Sequence, residues 1–74
     1  MQLSNKMWNA LNEQVKGERE SSYMYLGMAA WLNDMALPGF AHWMREQAKE
    51  EVEHAMKIYN YVEERGNRVE LLPI

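Results

Sequence analysis

Between Ser4 and Gly66 the sequence has one stretch with the chemistry to stop a helix, Asn33-Asp34-Met35-Ala36-Leu37-Pro38, and that single interruption limits what the chain can fold into. The flanking stretches are rich in Met, Glu, Gln, Lys, Leu and Ala, which favour helix, and neither shows sustained period-two alternation. Ser4 suits the N-cap of a first helix over about 5–33, and 34–37 form the turn. Pro38 suits the first position of a second helix over about 38–65, and Gly66 suits the left-handed residue that ends it. Residues 67–74 read as a short extended tail. The expectation is a single all-α unit over 1–74, an antiparallel two-helix hairpin with arms about 42 Å long at 1.5 Å per residue. Gly17 and Gly27 lie inside the first helix at a cost of roughly 1 kcal/mol each relative to alanine, so tertiary contacts are expected to compensate.

Length then asks what supports such a hairpin. A chain of 74 residues buries only about 60% of its unfolded surface and usually leans on disulfides, a metal or a partner. There is no cysteine, which leaves the metal and the partner. A net charge of −3 and a pI near 5.3 have the wrong sign for a phosphate backbone, so nucleic acid is excluded as a partner. The longest apolar run, Tyr23 to Leu32, is half of the ~20 residues that a membrane span requires. Residues 1–9 lack the pattern of a secretory signal, and a cytoplasmic location is the expectation.

A two-helix hairpin cannot enclose a core, and both helices carry apolar residues around more than one face. Four-three spacing places Leu11, Val15, Glu18, Ser22, Tyr25, Ala29 and Leu32 on the inner stripe of the first helix. In the second it selects Phe40, Met44, Gln47, Glu51, His54, Ile58 and Tyr61, flanked by Trp43, Ala48, Val52, Ala55 and Val62. Glu18 interrupts one stripe and Glu51 with His54 the other. An unpaired buried carboxylate costs several kcal/mol, so these groups need a compensating partner. With the turn centred near position 36, Glu18 and His54 stand at matched heights, with Glu51 about one turn nearer the turn. Two carboxylates and an imidazole at one level form a hard site that suits iron or manganese. A Glu-x-x-His pair also occurs on solvated helices without metal, and it is the stripe position and matched height that favour ligation. Glu46, Glu50, Glu53, Glu63 and Glu64 read as a solvated face, with Glu50 alone close enough to the seam to matter, the seven methionines as core filler, and His42 as structural or surface. The tryptophans and tyrosines read most simply as packing residues, although Tyr25, two turns from Glu18 on the same stripe, could instead hydrogen-bond a site carboxylate. Two such hairpins about a two-fold axis would supply two lone glutamates and two Glu-x-x-His motifs, the ligand set of di-iron carboxylate bundles.

Several segments in register then resemble a known family. Ala10-Leu11-Asn12-Glu13-Gln14, Glu18 with Ser21 through Leu26, Gly39 through Met44, Gln47 with Glu50 through Met56, and Glu64-Arg65-Gly66 look like the first half of a prokaryotic non-haem ferritin over about residues 5–70. The resemblance implies a hairpin forming half of a ferritin-like four-helix bundle. It also implies iron storage, with Fe(II) oxidised by O₂ at a di-iron ferroxidase centre and mineralised inside a 24-subunit shell. By motif, Glu18, Glu51 and His54 correspond to ferroxidase ligands with Glu51 bridging, Tyr25 to a nearby tyrosine, and Glu50 to a ligand of a third iron site. Haem-binding relatives place methionine after the bridging glutamate. Val52 stands there in this chain, so haem is not expected.

The family's third and fourth helices, which bring the remaining ligands, lie outside this sequence. Two expectations follow. In one, the hairpin is a ferroxidase completed by a second hairpin as a homo-oligomer, with iron as its metal and Fe(II) and O₂ as substrates. In the other, it is an incomplete ferritin chain acting only as a helical oligomerisation module. A peroxide-consuming di-iron protein is a third, more distant reading.

Overall fold

The computed structural model describes residues 2–74. It contains two helices, α1 (Asn5–Asp34) and α2 (Pro38–Glu64), antiparallel and side by side. The described residues measure 51 × 19 × 13 Å, so the hairpin is one helix thick, with no third helix over either face.

Local chemistry sets the helix ends. Ser4 caps α1, its Oγ accepting from the Met7 amide at 3.2 Å. Pro38 opens α2 at a position where a missing N–H costs nothing. Both helices close with the same paired hydrogen bonds. After α1, Leu37 N donates to Leu32 O at 3.0 Å and Ala36 N to Asn33 O at 3.1 Å; after α2, Asn67 N donates to Val62 O at 3.2 Å and Gly66 N to Glu63 O at 2.9 Å. This motif needs one left-handed residue. Gly66 fills the role at φ 76°, but Ala36 fills it at φ 58° with a Cβ in the way.

The seam between the helices is built from small residues. Val15, Ser22 and Ala29 recur every seven residues on α1, as do Ala41, Ala48, Ala55 and Val62 on α2, and all are buried. No side chain in this set is larger than valine, which lets the helix axes approach closely. The seam therefore differs from the expected one on α2. Phe40 and Tyr61, assigned to the inner stripe, are exposed, while Ala48, Ala55 and Val62, assigned to its flank, form the contact. Periodicity fixed the spacing but not the phase. The bulky stripe lies at the edge of the seam and faces outward, next to Leu11, Glu18, Tyr25 and Leu32, which are half-buried. A methyl group added at Gly17 or Gly27 would meet nothing within 4 Å. No contact over these positions offsets their cost, so the stabilisation comes from the seam.

The tail folds back along α1. Trp8 Nε1 donates to Arg68 O at 2.7 Å, Glu70 N to Asn12 Oδ1 at 3.2 Å, and Leu3 N to the Asn67 side chain at 2.9 Å. Asn12 ends up 2% exposed, with its Nδ2 lacking a partner. Asn12 lies six residues before Glu18, roughly 120° around the helix. The tail thus covers one broad face of the hairpin and leaves the face carrying Glu18 open. Met28, Phe40 and Trp43 share this open face by helical phase, and all are exposed. A groove of about 800 Å³ lined by Leu37, Pro38, Phe40, Trp43 and Met44 marks its turn end, away from the acidic residues. Among the described residues, no helix is long and apolar enough to cross a membrane.

Candidate metal centre

Halfway along the open face, three side chains converge. Glu18 comes from the middle of α1; Glu51 and His54 come from α2, three residues apart and so on adjoining positions of one face. One ligand atom from each lies within 4.8 Å of the others. His54 presents Nδ1, which stands 3.6 Å from Glu18 Oε2 and 3.8 Å from Glu51 Oε2. Both distances exceed a hydrogen bond. Two ligands about 2.1 Å from one metal lie at most ~4.2 Å apart, so a small inward movement of the side chains would close the set around a cation. The Glu18 and Glu51 side chains are 17% and 18% exposed and that of His54 is 51% exposed, so the centre is a shallow basin open on one side.

The two carboxyls perturb each other in opposite directions. Glu18 titrates below the ordinary carboxylate value, first because of its hydrogen bond with the Glu51 carboxyl and next because the Gln14 amide donates to it; the charge of His54 adds to this and burial opposes it. Glu51 titrates above that value, chiefly because of its hydrogen bond with Glu18, then through desolvation and the Glu18 charge, with Glu50 contributing and His54 opposing. Without a cation, two carboxyls this close resist carrying two negative charges. A divalent ion supplies more charge at the same point, and two carboxylate oxygens with an imidazole nitrogen form a donor set that iron or manganese accepts.

The other residues singled out from the sequence lie around this trio. Tyr25 is half-buried on the α1 stripe, two turns from Glu18 toward the hairpin turn. Glu50 is exposed beside Glu51 and stands outside the converging set. Gln14 was not singled out, yet its Nε2 donates to Glu18 Oε1 at 2.9 Å. The signal for it was its position one helical turn before the glutamate. Trp8 and Asn12, read as packing or motif residues, hold the tail on the opposite face.

Comparison with known proteins bears on the family and the fold. The model of the ferritin-like domain matches residues 8–74. The chain is 42% identical over 64 residues to the bacterial non-heme ferritin of Bacteroides fragilis (strain 638R), covering 86% of this chain and 40% of that protein. It is 40% identical over 72 residues to the corresponding protein of Staphylococcus haemolyticus, covering 97% and 43%. Among solved structures, the open pore ferritin of the hyperthermophilic archaeon Archaeoglobus fulgidus superposes with a TM-score of 0.94 at 47% identity, over 97% of this chain and 44% of that one. Chlorobium tepidum ferritin gives a TM-score of 0.94 at 36% identity, over the same shares of the two chains. The sequence thus spans less than half the length of these relatives. On the match of its domain model and the agreement of its fold, the chain belongs to the ferritin-like domain family.

Proposed function

We propose that this hairpin binds and oxidises Fe(II) for iron storage, at a di-iron centre completed when a second hairpin covers the open face. The observation that carries the reading is the convergence of Glu18, Glu51 and His54 on the face that the tail leaves bare. In the completed centre Glu51 and its mate would be shared between the two irons, while Glu18 and His54 would each hold one. Four carboxylates then balance two divalent cations, which removes the cost of burying the acids. Tyr25, two turns from Glu18 on the same stripe, takes the place of the nearby tyrosine that the family resemblance implies, and Glu50 stands at the exposed rim as a ligand for a further iron. Fe(II) is the substrate: each of two ions gives up one electron and one O₂ takes both. The residues act by holding the two ions close together with open positions toward the oxidant. The names of the relatives support a ferritin role, and the assembly is a homo-oligomer without haem or nucleic acid.

Anaerobic Fe(II) titration of the chain should saturate near one iron per chain, following the two-metal set of such bundles. Glu51→Ala should abolish saturation, and binding that is unsaturable or unchanged in this variant would overturn the proposal. A second reading, association without oxidation, is favoured by the exposed apolar residues Met28, Phe40 and Trp43, which call for a cover whether or not iron is present.

A further inference from the structure

The two oxygens of Glu18 have different neighbours. Oε1 accepts from Gln14 Nε2 at 2.9 Å, and Oε2 faces His54 Nδ1 at 3.6 Å. A carboxylate only accepts, so the amide must turn its NH₂ toward Glu18, which fixes the orientation of both groups. Gln14 stands one turn before Glu18 on the same open face, away from the seam. Gln47 stands one turn before Glu51 on α2 and is half-buried on that face as well. Because the helices are antiparallel, the two amides bracket the carboxylate pair from opposite ends. Gln-x-x-x-Glu thus occurs twice, once before each acidic residue of the trio.

Resting on the reading of Glu18 as an iron ligand, we infer that Gln14 is a positioning residue that occupies Glu18 Oε1 and so makes Glu18 a one-oxygen ligand through Oε2. A glutamate side chain has three rotatable bonds, and an unrestrained carboxylate could swing to chelate with both oxygens or turn to solvent. A hydrogen bond from a neutral amide removes these options without placing a positive charge where a cation must bind. Residues that orient metal ligands in this way typically alter affinity 10–100-fold when removed. Gln14 is exposed in the hairpin, so its substitution should leave the seam intact.

Co(II) titration of the 74-residue chain tests this, because visible d–d absorption reports coordination independently of iron oxidation. Gln14→Met keeps the length and helix preference of the side chain and removes the donor. It should lower Co(II) affinity about 10-fold or more and change the d–d spectrum, with helix content unchanged. Gln14→Ala, which favours the helix, should reproduce the spectral change. If both variants keep the parent affinity and spectrum while Glu18→Ala loses binding, Gln14 is a surface pair only and the inference is overturned with the iron site intact. If the parent chain itself shows no saturable Co(II) binding, the ligand reading fails and takes the inference with it.

Discussion

At the scale of residues, the centre works as two acids placed too close to carry two negative charges without help. Each helps the other to a different protonation state, and the pH dependence follows from the signs. Glu18 has a lowered pKa, so its contribution to stability is present above the ordinary carboxylate value of 4.5 and is lost as pH falls through the lowered one. Glu51 has a raised pKa, so its contribution is present below 4.5 and is lost as pH rises through the raised one. Between pH 4.5, the ordinary value, and pH 7 the Glu18 contribution is therefore kept while that of Glu51 is progressively lost. Melting of the metal-free protein at the two pH values, compared with Glu51→Gln, which donates without titrating, isolates this term. The parent should lose more stability toward neutral pH than the variant, and parallel curves would show that no proton is shared. Metal binding displaces that proton, so affinity should fall as the solution is acidified.

At the scale of elements, the same terminating motif recurs with unequal comfort. Gly66 enters the left-handed region freely, whereas Ala36 enters it at φ 58° because its amide and that of Leu37 complete the bonds that end α1. A left-handed conformation costs a residue with Cβ about 1–2 kcal/mol, offset in part by the greater freedom that glycine has in the unfolded chain. Ala36→Gly should therefore stabilise the hairpin by about 0.5–1 kcal/mol, read as a higher denaturation midpoint at unchanged slope. A lower midpoint would mean that the turn is not strained. The sequence marked the stop at 33–38 through Pro38 and the polar residues before it. It did not mark Ala36, because nothing in an alanine's chemistry announces a left-handed backbone; the neighbouring hydrogen bonds impose it.

At the scale of the molecule, the hairpin is a slab 13 Å thick with one face strapped by its own tail and the other bearing acids and exposed aromatics. Sedimentation with and without anaerobic Fe(II) should show a metal-dependent shift toward twice the 8.8 kDa chain mass. An equal degree of association in both conditions would favour packing without an iron role. The helical class, the hairpin and the matched height of Glu18 and His54 were all legible in the sequence, because helix preference, end chemistry and residue counting act locally or along one axis. The phase of the seam was not. Ala48, Ala55 and Val62 look like flank beside Phe40, Ile58 and Tyr61 until the close approach of two helices selects the smallest stripe. Nor did the sequence reveal which face stays open, since this depends on Trp8 and Asn12 meeting a tail some sixty residues away. The sequence by itself determined which side chains could form the centre; tertiary structure alone decided that they meet on the uncovered face, because rotation about a helix axis is set by packing against neighbours.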